Sequence, residues 1–317
     1  MRLDRSITLN FVRPLNRVLG SVRSVANRSI PILMYHSISC EREDNVSPYY
    51  RVVTSPGLFR QHMKVLQSLG YRGVDIRTGV DALTSRTANE AKFVVITFDD
   101  GFLDNMMVAV PILKEFDFTA TIYLPTAWIA DERRFFKRRE CLTWGEVAEL
   151  QKVGIHFGSH TVTHPKLMEL SWAAIREELR VSKVDIENRL GVVTDHFAYP
   201  YAFPESDRQF ISGFSDILRN IGYRSCVTTR VGRAQAGDDL LQLKRLPANQ
   251  CDDASLFRAK LNGDYDWVAS AQSGYKHIKS TLFGPRKNPR LKGSASDSVL
   301  PVRNTKAMRN DSAHSGN

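Results

Sequence analysis

The sequence predicts an α/β fold in which parallel strands, joined by right-handed helical crossovers, close or nearly close into a barrel. Three observations predict it. Lys92-Phe93-Val94-Val95-Ile96-Thr97-Phe98 is an apolar, β-branched run that stops abruptly at Asp99, Asp100 and Gly101, the pattern of a strand buried on both faces. Strand-like and helix-like stretches alternate around it from Pro31 onward. Polar residues suited to chemistry recur where the strands stop, the edge at which active sites collect in parallel α/β sheets.

In order along the chain, Leu3, Ile7, Phe11, Leu15, Val18, Val22 and Val25 recur at spacings of three and four with arginines between them. This is a basic amphipathic helix over residues 1–28, bent at Pro14. It suits peripheral contact with an anionic membrane surface; packing against the domain is the alternative. Ile32 to Tyr35 is a short strand ending at His36. Ser55-Pro56 opens a helix with Leu58, Phe59, Leu66 and Leu69 on one side and Gly70 as its stop. A strand near Val74 and a short helix lead into the run at Lys92. Asp104 and Asn105 begin or cap the next helix, through Val110 to Phe116, and a strand follows from Ala120 to Leu124. Thr143-Trp144-Gly145-Glu146 is a capping box whose helix closes at Gly154. Ile155 to Phe157 is a strand, Ser171 to Leu190 a long helix ending at Gly191, and Phe197 to Tyr199 a strand. A helix before Gly222, strands at Tyr223 to Val227 and Leu241 to Leu246, and a helix around Leu256 complete the domain, taken as residues 29–272. From 273 to 317 the chain turns polar, basic and rich in Gly, Ser, Asn and Pro, a composition that favours disorder.

The formal charge of +10 is uneven. Residues 1–28 carry +5 and residues 273–317 carry +7, which leaves about −2 for the middle. A nucleic-acid partner is therefore not expected. Cys40, Cys141, Cys226 and Cys251 are scattered and read as buried thiols of a reducing compartment. No run is long and apolar enough to span a bilayer, and no secretory signal is legible, so the expected location is cytoplasmic, at most peripheral to the inner face of the membrane.

Gly158-Ser159-His160-Thr161-Val162-Thr163-His164-Pro165 follows its strand as the aspartates follow theirs. Two imidazoles four residues apart share a face if the segment turns helically, a spacing that suits one divalent ion. Two His and one carboxylate leave coordination positions open for water and substrate. Together the motifs point to a metal-dependent hydrolase. Trp144, Tyr199, Tyr201 and Phe203 offer stacking surface for sugar rings or, as aromatics at this spacing usually do, core. His62, His156 and His196 are packing or surface residues, and Phe135-Phe136-Lys137-Arg138-Arg139 is a solvated loop or a substrate lip.

Thr97-Phe98-Asp99-Asp100-Gly101, Ser159 to Pro165, and Phe197-Ala198-Tyr199-Pro200-Tyr201 resemble, in order and spacing, the first three motifs of the polysaccharide deacetylases, carbohydrate esterase family four. The resemblance covers Pro31 to Gly263. It implies a distorted (β/α) barrel that removes acetyl groups from N-acetylated glycans with one divalent metal, Zn2+ first, with Co2+, Ni2+ or Mn2+ as alternatives. It further implies Asp100, His160 and His164 as ligands, Asp99 as general base and the backbone of Tyr201 as oxyanion donor. Two departures stand out: Ala198 replaces the Arg that pairs with the catalytic Asp in many members, and the closing motif lacks its His. Leu33-Met34-Tyr35-His36 resembles the circularly permuted exopolysaccharide and poly-N-acetylglucosamine deacetylase branch, which implies His36 as general acid. Arg245 is the candidate for the charge that Ala198 does not supply. The expected function is N-deacetylation of an N-acetylhexosamine-containing polysaccharide or oligosaccharide. The alternatives are hydrolysis of another C–N bond, such as a cyclic amide, or a catalytically silent glycan-binding protein.

Overall fold

The apolar run at Lys92 builds the strand on which the barrel closes. In the computed structural model, which describes residues 3–19, 29–85 and 91–268, the barrel strands are β1 (Ile32–Tyr35), β2 (Tyr71–Val74), β3 (Lys92–Phe98), β4 (Thr121–Leu124), β5 (His156–Ser159), β6 (His196–Ala198), β7 (Ser225–Val231) and β8 (Leu243–Pro247). All their pairings are parallel. Seven strands close the ring in the order β1, β3, β4, β5, β6, β7, β8 and back to β1. Val95 pairs with Ile32 of β1 and Val74 of β2, while Thr97 pairs with Met34 of β1 and Thr121 of β4. β2 and β4 therefore share one edge of β3, β2 at its start and β4 at its end, and the wall is irregular there.

The helices between them are α1 (Pro56–Ser68), α2 (Ile76–Thr84), α3 (Val110–Lys114), α4 (Trp144–Lys152), α5 (Trp172–Leu190), α6 (Arg208–Ile221) and α7 (Ala254–Asn262). Thr143 forms the predicted capping box with Glu146, and Gly191 closes α5 with a left-handed φ of 66°. The helix after β3 starts as a π-helical turn at Asn105–Ala109, and Asp104 makes no capping bond. The Asp104 carboxylate instead accepts from Ser37 Oγ at 2.5 Å and Ile38 N at 3.1 Å, and Asn105 Nδ2 donates to the His36 carbonyl at 2.7 Å. Asp104 and Asn105 thus stand at the start of the helix, as expected, but the Asp104 carboxylate binds the segment after β1 and does not cap the helix.

Strand alternation sorts the core into layers. Val95 packs inside with Ile32, Tyr123, Ala198, Val227 and Leu243, whereas Val94, Ile96 and Phe98 belong to a separate outer cluster in which Phe98 meets Tyr35 and Phe59. Thr97 and Asp99 follow Val95 on the inner side. Trp144, Tyr199 and Phe203 are all buried, so of the four aromatics considered for stacking only Tyr201 is exposed.

The helical residues Leu3–Leu19 dock on the end of the domain. Arg5 pairs with Asp253, Asn16 Nδ2 donates to Asp264 at 2.9 Å, and Trp267 Nε1 donates to Thr8 Oγ1 at 3.0 Å. Leu3, Phe11 and Leu15 remain exposed. The rest of the basic N-terminal segment and the tail from 273 lie outside the described residues. No helix among the described residues is long and apolar enough to cross a membrane. All four cysteines are free, but only Cys141 and Cys226 are buried; Cys40 is exposed, which corrects the uniform reading. Burial pushes the Cys141 thiol up to about 12.

Behind β1, His62 is sealed in the core. Its Nε2 donates to the Asp252 carbonyl at 2.6 Å, so Nδ1 accepts from Tyr35 Oη at 2.9 Å, and the ring stacks on Phe257 at 4.0 Å. Burial pushes its pKa down to about 4 from 6.5. The unfolded chain thus takes up this proton at higher pH than the folded one. Stability fully present above pH 6.5 is lost as pH falls towards 4, by about 3 kcal/mol from this group. Urea unfolding of wild type and His62→Gln at several pH values in that window is expected to show a flatter profile in the variant. Parallel profiles would exclude His62 as the linked group.

Candidate active site

The chemistry-bearing residues all reach the C-terminal edge of the barrel, each by a strand end. Asp99 and Asp100 end β3, His160 and His164 follow β5, Tyr201 follows β6, Arg245 lies within β8 and His36 follows β1. Just after β3 the chain turns sharply: Asp100 has φ 75° and Gly101 φ 60°. Asp tolerates that left-handed conformation. Gly101 is favoured by its left-handed φ, and a Cβ there would also press on Leu124 Cδ2 at 2.9 Å.

Asp100, His160 and His164 converge, their ligand atoms lying within 4.8 Å of one another. The segment between the histidines is not helical. It is a loop in which Thr161 and His164 adopt φ of 70° and 58°, and that turn brings the two rings to 4.8 Å. His160 Nδ1 donates to the Ala198 carbonyl at 2.8 Å, which leaves Nε2 a bare acceptor. That nitrogen faces Asp100 Oδ1 at 3.7 Å, and His164 Nε2 faces the same oxygen at 3.3 Å. Burial pushes His164 down to about 3, so its imidazole is neutral. The buried Oδ1 has no hydrogen-bond partner. His160 Nε2 and Asp100 Oδ1 are acceptors that face one another, a pairing that fits a cation, and two imidazoles with one carboxylate are a suitable donor set for a divalent metal.

Asp99 lies next to this cluster with a different partner. Arg245 grips it with two parallel bonds, Nη1 to Oδ1 at 2.7 Å and Nη2 to Oδ2 at 2.8 Å, both residues buried. Burial pushes the Asp99 carboxyl up, but the guanidinium outweighs it and holds the group well below the usual carboxylate range. Arg245 thus occupies the role that Ala198 leaves open, reached from a strand 146 residues away. His36 Nε2 lies 4.0 Å from Asp99 Oδ2. Burial lowers its pKa, against the pull of Asp99 and Asp100. Tyr201, 46% exposed, turns the chain with φ 58° and stacks edge-on to His164 at 4.7 Å.

Sequence reasoning placed Lys137 in a solvated loop or substrate lip and missed its partner, Asp100. The loop at Phe135 is a small hairpin, Phe135–Phe136 against Arg139–Glu140, and its tip carries Lys137 Nζ to 3.0 Å from Asp100 Oδ2. The ammonium takes one carboxylate oxygen and leaves Oδ1 to the imidazoles. Lys137-Arg138 with φ of 48° and 67° makes the tight turn, a conformation that their side chains do not advertise.

The family profile described as polysaccharide deacetylase matches residues 86–224. His36 and Arg245 both fall outside that span, yet barrel closure brings them to Asp99. YxkH of Bacillus subtilis (strain 168), which bears a polysaccharide deacetylase name, is 29% identical over 230 residues, 73% of this chain and 75% of that protein. Among solved structures, the Streptococcus pyogenes deacetylase PplD, in complex with acetate, is 28% identical with a TM-score of 0.64 over 74% of this chain and 99% of its own. IcaB from Ammonifex degensii is 22% identical with a TM-score of 0.63, covering 73% of this chain and 97% of that one, and shares the fold. The matched profile, the curated relative and the closed parallel barrel agree: residues 86–224 are similar to the polysaccharide deacetylases, and this likeness supports a hydrolase of that kind.

Proposed function

We propose that this protein removes N-acetyl groups from an N-acetylhexosamine-containing polysaccharide or oligosaccharide, using one divalent ion held by Asp100, His160 and His164. The observation that carries the reading is the partnerless Asp100 Oδ1 set between two neutral imidazoles, next to an Arg-held carboxylate. Zn2+ suits a donor set of two nitrogens and one oxygen, with Co2+, Ni2+ and Mn2+ as substitutes. When bound, the ion would lower the pKa of a water from ~15.7 towards ~7 and polarise the acetyl carbonyl.

The chain's own groups then divide the proton traffic. Asp99, kept ionised and oriented by Arg245, accepts a proton from the attacking water. The backbone N–H of Tyr201 donates to the oxyanion that forms on the carbonyl oxygen. His36, whose Nε2 lies 4.0 Å from Asp99 Oδ2, gives a proton to the sugar nitrogen as the C–N bond breaks, releasing acetate and an amine. Asp104 and Asn105 hold the segment that carries His36. The low basicity that Arg245 imposes on Asp99 is the trade for a fixed, always-ionised acceptor.

The test pairs metal analysis with acetate release from a panel of N-acetylglucosamine oligomers. Wild type is expected to carry about one metal per chain and to release acetate. His36→Ala is expected to lose ~10²–10⁴ in kcat with unchanged metal content. Glycan binding without acetate release would point to the silent binder instead, and near-normal turnover of His36→Ala would reassign the acid.

A further inference from the structure

The loop that carries both imidazoles is conformationally costly. Thr161 and His164 sit in the left-handed region, which a β-branched residue such as Thr rarely enters. Such a loop persists only where its surroundings over-determine it, and three polar side chains of α5 do so. Glu178 Oε2 accepts from the backbone N–H of Val162 at 2.8 Å and of Thr163 at 2.9 Å, and its Oε1 accepts from Thr163 Oγ1 at 2.8 Å. One turn on, Ser182 Oγ bonds Ser159 Oγ at 2.6 Å, at the end of β5. One further turn on, Asp185 Oδ2 accepts from Thr126 Oγ1 at 3.0 Å. Thr126 and Ala127 in turn donate their N–H groups to the carbonyls of Thr161 and Val162, at 3.1 and 2.9 Å. Positions 178, 182 and 185 share one helix face. The histidine loop is thus held by Ser182 at the end of β5, by Glu178 at Val162 and Thr163, and by Asp185 acting through Thr126.

From this we infer that Glu178 is a positioning residue for the metal centre: it sets the spacing of His160 and His164 and so the affinity and geometry of the ion, without touching ion or substrate. The inference rests on the proposed assignment of those histidines as ligands. A carboxylate is the side chain that accepts two adjacent N–H groups and a hydroxyl at once, which is why a negative charge serves here. Without it, two backbone donors lose their partner and the loop relaxes from its left-handed turns. In the loosened loop the two imidazoles no longer approach Asp100 Oδ1 together.

The experiment uses the full chain, stripped of metal with a chelator and titrated with Co2+. The readouts are dissociation constant, visible d–d spectrum and thermal midpoint of the metal-free protein. Four proteins are compared: wild type, Glu178→Ala, Glu178→Gln and His160→Ala. Glu178→Ala is expected to bind Co2+ about 10–100-fold more weakly, with an altered spectrum and a metal-free midpoint close to that of wild type. Glu178→Gln, which keeps an acceptor, is expected to recover most of both. Should the Ala variant fail to fold, Thr163→Val removes one of the three bonds and is expected to weaken Co2+ binding in the same direction. Wild-type affinity and spectrum in Glu178→Ala, or in Thr163→Val where that variant replaces it, overturn the inference while His160→Ala still loses the ion. If His160→Ala binds Co2+ as wild type does, the ligand assignment itself fails, and this inference with it.

Discussion

Asp99→Asn is expected to lose ~10³-fold or more in kcat, within the upper range for a general base, while the divalent ion stays bound. His160→Ala is expected to lose both activity and ion. The contrast follows from what each group faces. Asp99 spends both oxygens on Arg245, whereas His160 presents a bare nitrogen to Asp100 Oδ1. Asn preserves the shape of Asp99 and removes its charge, so it separates proton acceptance from metal retention. Inductively coupled plasma analysis beside acetate-release kinetics checks both halves. An Asp99→Asn enzyme with most of its turnover removes Asp99 as base. One that also loses its metal moves Asp99 into the coordination sphere.

The second large effect concerns Arg245. Its guanidinium is fully buried, with Nε donating to the Thr228 carbonyl at 3.0 Å and both Nη groups on Asp99. Arg245→Met leaves the Asp99 carboxylate buried and unpaired, and stranding one partner of such a pair typically costs about 3–5 kcal/mol. Turnover is expected to fall with it, because an untethered base no longer keeps its orientation. Arg245→Lys is expected to recover little of either, since an ammonium lacks the fork that meets both oxygens. The discriminating measurement is a double-mutant cycle by denaturant unfolding. In an Asp99→Asn background Arg245→Met is expected to cost clearly less, because no charge is stranded. An equal cost in both backgrounds would mean that Arg245 acts through packing alone.

The barrel and half of the site are legible in the residues because both depend on short-range pattern. The run ending at Asp99-Asp100-Gly101 announces a doubly buried strand and its turn, and Thr143 with Glu146 announces a helix start. The pair at His160 and His164 announces two imidazoles that converge on Asp100, even though the loop between them is not helical. Other readings fell short where a distant partner outbid a local one. Asp104 has the composition of a helix cap, yet Ser37 and Ile38 claim its carboxylate from 66 and 67 residues away. Lys137 reads as one charge in a basic loop, and only the hairpin turn delivers it to Asp100.

Residue order along the chain was enough to name strands, helix ends and the residue types that the chemistry needs, because strand burial, capping and turn preference are settled within a few neighbours. Which group serves which was decided by closure of the ring. β1 and β8 meet beside β3, so His36 and Arg245, 209 residues apart in the sequence, come to one carboxylate. α5 lies against the histidine loop, so Glu178 holds its turns. These pairings become favourable only once the barrel excludes water and fixes the distances, a cooperative outcome that no stretch of the chain encodes alone.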